Sequence, residues 1–90
     1  MKAHKNIFIR GKVQGTFFRQ AAKNKAEELG IRGFARNQPD GSMYIEAEGE
    51  NGALEEFILW CWTGPPMAAV EGVKVELGEI QNFSSFSMRH

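Results

Sequence analysis

The chain has little of what most catalytic sites are made of. Its 90 residues include one cysteine, Cys61, and two histidines, His4 and His90, near opposite ends. A lone thiol excludes an intrachain disulfide. No signal-like apolar segment opens the chain, so a reducing, cytoplasmic setting is expected. No Cys/His cluster has ligand spacing, so neither a metal nor another cofactor is expected. Charge of one sign is missing too: eleven basic residues cancel eleven acidic ones, and the sequence pI is about 6.7. That balance allows a local basic patch but speaks against a strong grip on nucleic acid or an anionic membrane. Apolar runs are too short to span a bilayer.

What is present suits a soluble globule, with 42% hydrophobic and 24% charged residues. A chain this short can bury one modest core, so residues 1–90 are expected to form a single domain, and a monomer. Residues 4–10, HKNIFIR, read as a first strand, with Ile7 and Ile9 on one face and Phe8 and Arg10 on the other. Gly11 to Gly15 read as a loop. From Thr16 to Leu29 the period becomes helical, through Phe18, Ala22, Ala26 and Leu29, and Gly30 is placed to end the helix in the left-handed conformation. Residues 31–37 and 42–48 form a hairpin around Pro39 and Gly41. In its second strand Met43, Ile45 and Ala47 face in, while Tyr44, Glu46 and Glu48 face out.

Asn51 reads as the cap of a second helix whose apolar stripe is Leu54, Phe57, Ile58 and Cys61, and Gly64, Pro65 and Pro66 stop it. Residues 70–77 alternate through Val73, Val75 and Leu77, and residues 83–89 form a short last strand. The order β-α-β-β-α-β, plus that short strand, predicts an α+β two-layer sandwich of the ferredoxin-like type: an antiparallel sheet of order 4-1-3-2 with both helices on one face. The first two strands then run parallel, with the third between them. The Gly11–Gly15 loop and Asn37 therefore share one sheet edge, roughly 10 Å apart, and can share one small ligand.

The stretch GKVQGTFFR, Gly11 to Arg19, leads from strand to helix. Such a loop exposes the unpaired N–H groups of the helix, and those donors favour an anion. Gly11 and Gly15 allow close approach and positive φ, and Arg19 can fork two hydrogen bonds onto phosphate oxygens. Neither GxxxxGK[ST] nor GxGxxG fits the stretch. Taken alone, it reads equally as a tight turn with a solvated arginine. Asn37, likewise, is on its own a turn residue; position is what makes it interesting, because a neutral amide can orient a water without adding charge beside an anion.

GKVQGTFFR resembles the GxVQGVxFR signature of the acylphosphatase family. GFARNQPDGSMYIEAEG, Gly33 to Gly49, resembles its second signature. The later GPP and the valines at 70 and 73 also fall where that family has comparable residues. The resemblance covers nearly the whole chain, and it implies metal-free hydrolysis of the carboxyl-phosphate bond of acyl phosphates, with inorganic phosphate as product. It further implies that Gln14, Gly15, Thr16, Phe17, Phe18 and Arg19 supply backbone N–H groups, that Arg19 grips the phosphoryl group, and that Asn37 positions the attacking water. Two residues depart from the family pattern, Thr16 and Met43, each standing where valine is usual. Thr16 lies within the cradle, where it is expected to alter the shape or add a hydroxyl contact; Met43 is expected to repack the core.

Two other readings share the fold. One is a non-catalytic module that kept the phosphate cradle. The other is an RNA-binding module, for which RGFA at Arg32–Ala35 begins an aromatic motif and Phe8, Phe34 and Tyr44 offer a stacking face. That motif breaks at Arg36 and sits on the second strand instead of the third. Trp60, Trp62, Cys61, Lys23, Glu27 and Glu28 read as structural, the tryptophans packing at the helix edge and the charged residues on a wet face.

Overall fold

The computed structural model describes residues 1–90. Its elements are β1 (Lys2–Lys12), α1 (Phe18–Leu29), β2 (Arg32–Asn37), β3 (Met43–Glu50), α2 (Asn51–Thr63), β4 (Ala69–Gly78) and β5 (Phe86–Arg89). The sheet order is β4-β1-β3-β2-β5, so the expected four-strand order stands and the last strand adds at the β2 edge. β5 runs parallel to β2, which makes the sheet mixed where an antiparallel one was expected. The cause is where β4 ends. Gly78 pairs with His4, at the start of β1, so a strand that returns at the far edge must run alongside β2 in the same direction. No helix is long and apolar enough to cross a membrane.

The core lies between the sheet and both helices. Ile7, Ile9, Ile45 and Ala47 rise from the sheet to meet Phe18, Ala22 and Ala26 of α1 and Leu54, Phe57 and Cys61 of α2. Each large side chain removed from water contributes about 1.5–3 kcal/mol. Burial pushes the Cys61 thiol well above its ordinary pKa, as for a small hydrophobe with no redox task. Trp60 packs against Phe18 and Phe57, whereas Trp62 is half exposed.

Gly30 ends α1 at φ 72°, and its backbone N–H donates to the last turn, as a left-handed cap should. Several expectations need correction. α1 starts at Phe18, not Thr16, because Phe17 adopts a left-handed φ of 64° that cannot continue a helix. Asn51 is already helical and caps nothing with its side chain; its N–H donates to the Met1 carbonyl at 3.0 Å, so the chain's first residue takes the free donor. Val75 and Leu77 are exposed, because β4 is an edge strand that runs beyond the cover of α2. Glu48 does face away from the helices, as expected, but it is 2% exposed because the segment between β4 and β5 covers it.

Candidate active site

Three neighbouring strands set the site. Ile9 of β1 and Asn37 of β2 both pair with Met43 of β3, so the exit from β1 and the end of β2 stand at the same level across the sheet. Between Arg10 and Gly11 the pairing of β1 with β4 slips by a bulge. Gly11 has φ 127°, and a Cβ there would collide with the Ala69 carbonyl. Its need for glycine thus comes from the close approach of β4, not of a ligand. Gly15, at φ 73°, has open space around it and serves the turn itself.

Gly15 and Phe17, both left-handed, curl the chain into the start of α1. The first hydrogen bond of that helix is donated by Ala21 to the Phe17 carbonyl. None of the hydrogen bonds outside the regular elements is donated by the N–H groups of Gln14 to Gln20. Clustered unpaired donors at a helix N-terminus are an anion site by construction.

Beside them opens a pocket of about 320 Å³. The loop and α1 contribute Val13, Gly15, Phe17, Phe18, Arg19 and Gln20, and the sheet contributes Asn37, Met43 and Met88. The topological expectation holds in that Arg19 and Asn37 line one pocket. Arg19 Nη1 donates to the Arg89 carbonyl at 2.8 Å, which fixes one side of the guanidinium. The Asn37 Oδ1 is buried and has no partner. An unused buried acceptor is uncommon, since leaving one costs about 1–3 kcal/mol.

Two residues of the expected cradle turn their side chains elsewhere. Thr16 is buried, and its hydroxyl donates to the Val13 carbonyl within the loop. Gln14 reaches across to the β2–β3 turn. Met43, expected only to repack the core, also forms part of the pocket wall.

A second polar cluster lies on the opposite face of the sheet. The ring of His4 is clamped between carboxylates, with Nδ1 2.8 Å from Glu48 and Nε2 2.9 Å from Glu46. The amides of Gln81 and Phe83 donate to Glu48 at 2.6 and 3.1 Å, so this carboxylate ties down the segment between β4 and β5. Burial alone would raise the Glu48 pKa; the bonds from Gln81, His4 and Phe83 outweigh it and hold the carboxyl below its ordinary value. Tyr44 donates to Glu46 at 2.7 Å, and burial together with that carboxylate pushes its phenol up to about 12.

A family model described as acylphosphatase matches residues 5–88. The chain belongs to the acylphosphatase family. An acylphosphatase of Rubrobacter xylanophilus is 50% identical over 70 residues, a match that spans 78% of this chain and 64% of that relative. One of Archaeoglobus fulgidus is 44% identical over 84 residues, spanning 93% of this chain and 94% of the relative. The solved acylphosphatase of Coxiella burnetii superposes with a TM-score of 0.95 at 36% identity, over 98% of this chain and 93% of its own. Membership makes the chain a hydrolase acting on acid anhydrides, on a ferredoxin-like fold.

In this acylphosphatase pocket, five participants were not singled out as site residues from sequence: Val13, Gln20, Met43, Met88 and the Arg89 carbonyl. Gln20 follows Arg19 on the helix, and the alternation of β3 had placed Met43 facing in. Met88 and the Arg89 carbonyl had no such signal, because they come from a strand whose partner only the folded sheet reveals.

Proposed function

We propose that the pocket hydrolyses the carboxyl-phosphate bond of small acyl phosphates without a metal, by in-line attack of water on phosphorus. The unpaired amides from Gln14 to Arg19 bind the equatorial oxygens, and Arg19 neutralises the charge that gathers there. Its contact with the Arg89 carbonyl uses one donor and leaves the rest of the fork for phosphate. Asn37 presents its free Oδ1 to the attacking water and orients a lone pair toward phosphorus. The leaving carboxylate has a conjugate acid with a pKa of about 4 to 5, so it departs at neutral pH without a general acid. A site without histidine, thiol or paired carboxylates can therefore be catalytic. The observation that carries this reading is the buried, unpartnered Asn37 Oδ1 in the same pocket as Arg19.

The test is phosphate release from a simple acyl phosphate with chelator present. Wild type should be active, and Arg19→Gln should lose binding and turnover together. Asn37→Ala should lose turnover while inorganic phosphate still binds. An inactive wild type that still binds phosphate would make the chain a phosphate-holding module instead. An RNA-binding role finds less support. Phe8, Tyr44 and Phe34 do form a row, but Arg89 and Arg36 lie over the Phe34 ring at 3.8 and 5.8 Å, where a base would stack.

A further inference from the structure

The two halves of the pocket belong to strands that do not touch. The loop follows β1, Asn37 ends β2, and β3 lies between them. No backbone hydrogen bond outside the regular elements joins the loop to the β2–β3 turn. One side chain does. Gln14 Nε2 donates to the Gln38 carbonyl at 2.6 Å and to the Ser42 carbonyl at 3.0 Å. These two carbonyls are also the acceptors that close the turn, taking the Gly41 N–H at 3.1 Å and the Gln38 N–H at 2.8 Å. Both hydrogens of a single amide are thus spent on the turn, one residue from Asn37.

We propose that the Gln14 side chain is a positioning residue: it sets the distance between the phosphate-binding loop and Asn37, and so the line from the oriented water to phosphorus. The role rests on the reading of Asn37 as the water-orienting group. A glutamine suits the task because it is long enough to cross above β3, and its NH2 group has the two donors that two carbonyls require. No charged residue could replace it neutrally, and a carboxylate would face two carbonyl oxygens. Misplacing reacting groups by about 1 Å can cost about 100-fold in rate, so a tether of this kind matters even though it touches no substrate.

A double-mutant cycle tests the assignment. Gln14→Ala should lower kcat about tenfold, with phosphate inhibition within about twofold of wild type, because the cradle amides stay in place. In an Asn37→Ala background the same substitution should lower kcat by less than about twofold, since the residue it positions is gone. Equal losses in both backgrounds would overturn the proposal, as would a loss confined to phosphate affinity. Gln14→Met, which fills the same space without donors, should reproduce the loss if Gln14→Ala disturbs folding; wild-type kcat in a folded Gln14→Met would also overturn it. The position itself is read separately from the NMR signals of the Asn37 side-chain amide, which should shift in Gln14→Met. If wild type releases no phosphate, the reading of the site fails, while unshifted Asn37 signals would overturn the tether by themselves.

Discussion

The two faces of the sheet each carry a polar cluster, and they differ in how completely it is satisfied. On the face away from the helices, His4 has a carboxylate at each ring nitrogen, and Glu48 accepts from two backbone amides as well. At the pocket, loop amides are left without acceptors and Asn37 keeps a buried oxygen unpaired. A saturated cluster has nothing to offer a ligand and everything to lose if one member goes. An unsaturated one is built at a cost to the fold and can recover that cost when a ligand arrives. A lone unpaired acceptor does not mark function, since Asn6 Oδ1, on the strand beside Glu46, is buried and unpartnered too; the pocket differs in bringing such an oxygen together with free loop amides and Arg19.

The contrast can be broken from either side. Arg19→Gln should lower acyl phosphate turnover about 100-fold or more, yet move the unfolding free energy by less than about 1 kcal/mol, since its one contact is exposed. Glu48→Ala should do the reverse. Stripping His4, Gln81 and Phe83 of their shared acceptor should destabilise the fold by about 3–5 kcal/mol in urea unfolding, with kcat of the folded fraction within about threefold.

Acid should reveal the same residue more gently. A carboxyl held below its ordinary value stays ionised in the folded chain while the unfolded chain takes up a proton, so its stabilisation is complete above about 4.5 and drains as pH falls toward the folded value. Melting temperature measured from pH 6 downward should therefore fall more steeply for wild type than for Glu48→Gln. Tyr44→Phe, which removes one partly buried hydrogen bond to Glu46, should cost only about 1 kcal/mol. A larger effect than that of Glu48→Ala would mean that the outer rim of the cluster, rather than its buried centre, holds it together.

Much of this was legible in the residues. Period-two and period-3.6 runs punctuated by Gly30, Gly41 and Gly64 gave the element order, and the order dictated which loop would face Asn37. The two signature stretches then gave the pair a chemistry. The back cluster was hidden by the same rule that revealed the strands. Alternation assigns Glu48 to the outer face correctly, but only the crossing of residues 79–85, a stretch with no period, covers that face and buries it. The parallel pairing of β5 was equally out of reach, because four residues at an edge carry no mark of direction. Gln14 was visible as part of a motif, but its side-chain task depends on a turn 24 residues away.

The hydrogen bond from Arg19 to Arg89 spans 70 residues, almost the full length of the chain. During synthesis the loop and the first helix are made well before residue 89 is. A nascent chain can fold much of its scaffold while the guanidinium still lacks its anchor and the pocket its Met88 wall. The anchor is the carbonyl of Arg89, so a change in the last strand reaches the guanidinium without touching the loop that carries it.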